Sequence, residues 1–253
     1  PDRDGNQTGM NNNSLRFFAE QLAQNDIAAF SFDKRTIALM ASGNTDEKDL
    51  VFDNFINDVK DIIANFKSKK TYRHIIIAGH SEGSLIGMVA ALGNVDGFIS
   101  LAGPGRTIDL VIAEQIGKQA PNLKEEVEKN LALLKSGQTF KLENQALSFL
   151  FRESLQPYLI SWIKYNPQIE IQKLQIPVLL INGTKDIQVP VSDAELLKKV
   201  KPDAQLKIIN NMNHLFKEIK TDDLAENQAA YNNPDLPIAP EMVSAVNQFV
   251  KSL

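Results

Sequence analysis

Residues 75–92 read Ile-Ile-Ile-Ala-Gly-His-Ser-Glu-Gly-Ser-Leu-Ile-Gly-Met-Val-Ala-Ala-Leu, and this stretch decides the fold. Ile75–Ala78 is a short β-rich run of the kind buried on both faces of a parallel sheet, and Ser84–Leu92 is a helical run of small residues suited to packing closely on it. Between them Gly79-His80-Ser81-Glu82-Gly83 spells G-x-S-x-G at a strand-to-helix turn, a nucleophile elbow. A serine at the tip of such a sharp, strained turn has its hydroxyl exposed, and glycines before and after it are expected to let strand and helix pass closely. The helix N-terminus lends partial positive charge, and the amide of Glu82, next after the serine, is placed to bind an oxyanion. A chance match to the pattern somewhere in a chain of this composition has a probability of about 4%. A match at a strand–helix junction is rarer still.

Outward from the elbow the same alternation continues. Ile27–Phe32, Phe98–Ala102, Val178–Ile181 and Leu206–Ile209 read as buried strands bounded by Gly, Asp, Asn or Pro. Ser14 is expected to cap a helix whose inward face is Leu15, Phe18 and Leu22. After Thr45, the residues Val51, Phe52, Phe55, Ile56, Val59, Ile62, Ile63 and Phe66 recur at three- and four-residue spacings, the apolar stripe of one long helix. Asp193–Val200 and Glu241–Val250 complete the helices. Strands alternating with helices predict an α/β fold, a mostly parallel sheet flanked by helices.

One segment breaks the rhythm: about seventy residues separate Ala102 from Val178, too many for a simple crossover. Leu123–Leu134 and Asn144–Tyr165 have helical spacing, interrupted by Gly137 and Pro157. This predicts a helical insertion at 104–173, set over one edge of a core built from 1–103 and 174–253. The polar stretch Thr221–Pro240 reads as a loop, and Lys67–Lys70 as a solvated turn.

A serine hydroxyl needs a base to take its proton, and the chain holds three histidines. His74 opens the strand at the end opposite the elbow, and His80, though next to Ser81, is expected to point away from its hydroxyl and pack. His214 follows the last strand in Asn210-Asn211-Met212-Asn213-His214, at the edge of a parallel sheet where catalytic groups gather. The base needs an acid to fix its tautomer. Asp186, in Asn182-Gly183-Thr184-Lys185-Asp186, is by itself an ordinary turn residue. The order Ser81, Asp186, His214, each after a successive strand, is the order the elbow predicts. Asp193 and Asp203 are weaker choices, since both sit in or beside a helix. No His/Asp/Glu cluster has metal-ligand spacing, so neither a metal nor a cofactor is predicted.

Composition narrows the classes further. At 253 residues, 43% hydrophobic and with a net charge of −4, the chain suits one large domain and is unlike a disordered one. Its 27 basic against 31 acidic side chains argue against a nucleic-acid binder. No apolar run approaches the ~18 residues of a membrane span. Without cysteine there is no disulfide, thiolate ligand or cysteine nucleophile.

These residues resemble the α/β-hydrolase superfamily, and within it a bacterial branch of carboxylesterase-like serine hydrolases, often labelled serine aminopeptidase-like. Gly79–Gly83 is similar to the elbow, Gly183–Pro190 to the acid loop and Asn213-His214 to the histidine loop; Asp2–Asn6 and Gly103–Arg106 also resemble that branch. The resemblance implies a helical cap that selects the acyl and alcohol groups. It also implies about three strands ahead of Ile27–Phe32, one of which would lie between that run and the strand before Ser81. The oxyanion loop of the family ends just before a Pro-Asp-Arg-Asp-like stretch, so the resemblance puts the second oxyanion amide ahead of Pro1 and assigns it to no residue here. An upstream segment is expected to fill the open sheet slot, with another polypeptide as the alternative. Ester hydrolysis through an acyl-enzyme, with a small-molecule ester as the substrate partner, is the leading expectation. A peptidase or thioesterase with the same triad, or a non-catalytic binding protein on this fold, are the alternatives. Tyr158, Trp162 and Tyr165 are candidates for an acyl pocket, with ordinary packing of the insertion the favoured reading.

Overall fold

The computed structural model describes residues 1–43, 47–93 and 95–253. Helices α1 (Ser14–Ala23), α2 (Arg35–Ala41) and α3 (Phe52–Lys69) precede β1 (Ile76–His80), which runs through Ser81 into α4 (Glu82–Ala90) and then β2 (Gly97–Leu101). Between β2 and the next strand lie α5 (Ile108–Gln119), α6 (Lys124–Lys135), α7 (Ser148–Phe151), α8 (Gln156–Ile163) and α9 (Pro167–Gln172). The chain continues with β3 (Val178–Gly183), α10 (Val191–Val200), β4 (Gln205–Ile209), α11 (Leu224–Ala230) and α12 (Pro240–Lys251).

The four strands form one parallel sheet in the order β1-β2-β3-β4, with His80 opposite Leu101, Ile99 opposite Leu179 and Gly183 opposite Ile209. Parallel neighbours require each connection to return to the end of the sheet at which the strands begin, and the intervening helices make that return. Side chains alternate between faces with the strand period of two. Phe98, Val178 and Leu180 pack under α3, α4 and α10, against Phe52, Ile56, Met88 and Leu197. Ile99, Leu101, Leu179 and Ile181 face the other way, against Phe18 and Leu22 of α1 and Met242, Val246 and Phe249 of α12. The segment between β2 and β3 has an apolar centre of its own, including Val127, Leu131, Leu134, Phe151 and Leu159.

Several expectations are corrected. Ile27–Phe32 is not a strand: it has the right composition, but among the described residues no strand lies against it to complete a ladder. Phe30 instead stays 60% exposed and meets Phe66 of α3 edge-on, ring centroids 5.1 Å apart. Ser14 does not cap α1; Asn13 holds the cap position in a left-handed conformation, and Ser14 is buried with its amide bonded to Asn12 Oδ1 at 2.9 Å. Pro157 opens α8 rather than interrupting it, since a proline in the first turn loses no hydrogen bond. The segment 221–240 contains α11, capped by the Asp223 side chain at 2.9 Å from the Ala225 amide. The long helix expected after Thr45 is α3, which starts at Phe52 with Val51 at its N-cap. Among the described residues no helix is long and apolar enough to cross a membrane.

Candidate active site

Ser81 sits between the end of β1 and the start of α4, with φ 54° and ψ −123°. That conformation costs a non-glycine residue of the order of 1–3 kcal/mol and persists only where its surroundings impose it. They do so here: the Ser81 amide continues the parallel ladder to Leu101 O at 2.9 Å, and its carbonyl accepts from Ser84 N at 2.9 Å. The chain must reverse between those two bonds. Glu82 is the first residue of α4, so its amide has no acceptor within the helix and is free for an incoming oxygen.

The two elbow glycines are not equivalent, contrary to the sequence reading. A Cβ on Gly79 would stand 2.2 Å from Gly83 O and 2.7 Å from Ser84 Cα, whereas a Cβ on Gly83 would meet nothing within 4 Å. Gly79→Ala should therefore cost about 3 kcal/mol or more, because backbone must move to admit the methyl. Gly83→Ala, inside α4, should be neutral or stabilising by up to about 1 kcal/mol. Urea unfolding of both variants tests the pair, and equal destabilisation would contradict this account of the elbow.

Asp186 and His214 follow β3 and β4, at the same sheet edge as Ser81. The two loops are stitched together by backbone. Thr184 N donates to Ile209 O at 3.0 Å, Lys185 N to Met212 O at 3.0 Å, and Asn211 N to Thr184 Oγ1 at 2.9 Å. Gly183 makes this approach possible, since a Cβ there would lie 2.0 Å from Met212 O. The result is a hydrogen bond from His214 Nδ1 to Asp186 Oδ2 at 2.8 Å, with the His214 side chain 4% exposed and that of Asp186 0%. The other carboxylate oxygen, Oδ1, accepts from the amides of Gln188 and Val189, both at 2.8 Å. A buried carboxylate with both oxygens engaged in this way is held in one orientation toward the imidazole. Among the described residues Ser81 Oγ makes no hydrogen bond to His214, so the structure joins Asp186 to His214 and leaves Ser81 unbonded to them. The other candidate acids are committed elsewhere. Asp193 is buried against Arg106 at 2.7 Å and the Gly105 amide at 2.8 Å, and Asp203 pairs with Lys201 at 2.7 Å.

His80 packs, as expected, but against the histidine loop itself. Its Nε2–H donates to His214 O at 2.9 Å, and its ring centroid lies 4.7 Å from the rings of both His214 and Phe216. Burial, together with any charge on His214, holds His80 well below the usual histidine pKa, so it remains a neutral donor. Phe216 is fully buried with φ 65°, a strained position for so large a residue, and it closes the turn that carries His214. Asn213 Oδ1 accepts from Leu215 N and Lys217 N at 3.0 and 2.9 Å. Its Nδ2 reaches Asn227 Oδ1 at 3.2 Å, and Asn227 in turn donates to Lys185 O at 2.7 Å. Helix α11, which carries Asn227, thus braces both loops at once.

The Glu82 side chain is also held. Its carboxylate takes bonds from Lys34 Nζ and Tyr158 Oη. Burial pushes this carboxyl up, but Lys34 and the Tyr158 hydroxyl outweigh it and leave the group below its ordinary value. Tyr158 is pushed well above the usual phenol range, by burial first and by Glu82 second. Tyr158 of α8 is therefore tied to the elbow. Trp162 stacks on Phe52 at 5.3 Å, and Tyr165 donates to Asp53 at 2.6 Å, so these aromatics mainly pack the inserted segment onto α3. Lys34 carried no sequence signal, because its partner lies 48 positions away.

A strained strand-to-helix turn on a parallel sheet covered by helices on both faces, with the loops after β3 and β4 meeting at the same end, is the α/β-hydrolase fold, and this chain has that fold. No protein-family model matches the chain. In sequence it is 26% identical over 215 residues to Esterase EstD of Thermotoga maritima, covering 81% of this chain and 50% of that protein. The chain thus spans about half the length of the curated relative it matches. Among solved structures it is similar to Est1E from Butyrivibrio proteoclasticus, with TM-score 0.54 and 16% identity over 94% of this chain and 81% of that one. It is likewise similar to an esterase of Pyrococcus furiosus, with TM-score 0.55 and 18% identity over 94% and 74% of the two chains. The esterase EaEST from Exiguobacterium antarcticum gives TM-score 0.52 and 16% identity over 97% and 90%.

Proposed function

We infer that this chain is a serine hydrolase of carboxylic esters, with Ser81 as nucleophile, His214 as general base and acid, and Asp186 as the group that orients His214. The observation that carries the reading is the buried Asp186–His214 bond at the sheet edge that also presents the strained Ser81. With Nδ1–H held by Asp186, the Nε2 lone pair of His214 is left to accept the serine proton. Catalytic hydrogen bonds often close only when substrate is bound, and the open Ser81–His214 contact fits that pattern.

Ser81 Oγ attacks the ester carbonyl while its proton passes to His214 Nε2. The oxyanion takes a hydrogen bond from the Glu82 amide at the positive end of α4. Collapse of the tetrahedral intermediate expels the alcohol, which receives the proton from His214. Water then attacks the acyl-Ser81 ester by the same route, releasing the acid and restoring the serine. Residues 104–173 act in this reading as a cap over a core of 1–103 and 174–253, and the bond from Tyr158 to Glu82 supports such a role by fixing α8 to the elbow. The distant kinship with an esterase favours esters over amides as the substrate class.

A panel of p-nitrophenyl esters from acetate to octanoate, with the anilide and thioester of the best acyl group, tests the reading. Turnover of an ester with much slower turnover of the anilide is expected. An anilide cleaved as fast as its ester would replace esterase by peptidase.

A further inference from the structure

We propose that the cleft between α5, the turn after Asp186 and α11 binds a neutral, hydroxyl-rich group of the kind a monosaccharide presents. The cleft has a volume of about 360 Å³ and is lined by Gln115, Gln119, Ile187, Gln188, Gln228 and Tyr231. That volume lies in the range of small-molecule sites. Its chemistry is unusually uniform: four carboxamides and a phenol, with no charged side chain. Each carboxamide offers two donors and a two-lone-pair acceptor, the complement of a hydroxyl that both gives and takes a hydrogen bond. None of the six lining side chains is charged, so neither an anion nor a cation would meet a direct counter-charge in the cleft wall.

Part of the lining is already set in position. Gln115 Nε2 donates to Gln188 O at 3.1 Å, and Gln188 Nε2 donates to Tyr231 Oη at 3.2 Å. These bonds leave the Tyr231 proton and the Oε1 atoms of Gln115 and Gln188 uncommitted. Burial, with Asp186 nearby, raises the Tyr231 pKa, so its hydroxyl keeps that proton to donate. Gln119 and Gln228 are exposed and make no side-chain hydrogen bond among the described residues. Ile187, 47% exposed, supplies an apolar surface for the C–H face of a ring. Nothing in the hydrolytic steps uses this cleft. Because Ile187 and Gln188 directly follow Asp186, we assign it to the alcohol half of the substrate; that assignment, unlike the cleft's chemistry, rests on the esterase reading.

The test compares methyl 6-O-acetyl-glucopyranoside with cyclohexylmethyl acetate, which has the same ring size and a primary alcohol but no ring hydroxyls. Wild-type protein should favour the glycoside in kcat/KM by about tenfold or more, the scale of one or two net hydrogen bonds. In the Gln119→Leu/Gln228→Leu double variant the glycoside KM should rise and the ratio fall toward one. A ratio near one in wild type, or a ratio unchanged in the variant, would overturn the assignment to the alcohol half. Saturation-transfer NMR with free methyl glucopyranoside supplies an arm independent of catalysis. Signal in wild type and its loss in the double variant supports the cleft even if neither ester is hydrolysed, in which case the esterase reading fails alone. No signal in the folded wild-type protein at millimolar glycoside would overturn the cleft itself.

Discussion

Replacing Ser81 with alanine should lower kcat for p-nitrophenyl acetate by at least about 10⁴-fold and leave folding nearly unchanged. The two halves of this expectation come from different features of the same residue. Among the described residues Ser81 Oγ makes no hydrogen bond, so its removal orphans no buried partner there. Alanine keeps the Cβ and so faces the same backbone cost at φ 54°. Stability should then stay within about 0.5 kcal/mol of wild type. Loss of activity with an unchanged urea midpoint assigns the hydroxyl to chemistry. Activity retained at the wild-type level would remove Ser81 from the mechanism.

Asp186→Asn should be nearly as damaging, by about 10³- to 10⁴-fold in kcat near neutral pH. The reason lies in how the carboxylate is held. Its Oδ1 accepts from the amides of Gln188 and Val189, so an asparagine at this position keeps its carbonyl oxygen there and turns its NH₂ toward His214. That NH₂ would donate to His214 Nδ1, where the carboxylate now accepts at 2.8 Å. His214 is thereby locked with its proton on Nε2, the tautomer that cannot take a proton from Ser81. The turn itself should survive, since its two amide bonds remain. A pH–rate profile beside a melting curve checks both points. A loss of tenfold or less would mean that Asp186 does not set the tautomer.

Much of the sheet was legible because buried parallel strands and their helices declare themselves locally, in β-rich runs and helical stripes. The elbow was legible for the same reason, since Ser81 follows directly on β1; Asp186 and His214 stand further along the loops after β3 and β4, and their pairing is a contact between those loops. The misreadings share a cause. Ile27–Phe32 has strand composition, but a ladder is made with a neighbour, and composition does not report one. Gly83 looks like Gly79 in a motif, yet only Gly79 faces backbone at 2.2 Å, a contact set by how α4 leaves the sheet. The helix α11 was hidden in a polar stretch, although Asp223 ahead of Leu224 is an ordinary cap signal. The bracing of His214 by His80 joins positions 134 apart, and nothing in either local sequence announces it. Spacing identifies residues suited to chemistry, whereas the contacts that aim them belong to the folded chain.

The central claim is that Ser81 is an activated nucleophile. Intact-mass analysis after exposure of the folded protein to a fluorophosphonate tests it most directly, because covalent capture needs the activated hydroxyl and no particular substrate. One phosphonyl adduct per chain, mapped by peptide sequencing to Ser81 and absent from Ser81→Ala, is the predicted result. A folded wild-type protein that takes up no adduct, or takes it up at a residue other than Ser81, would contradict the account.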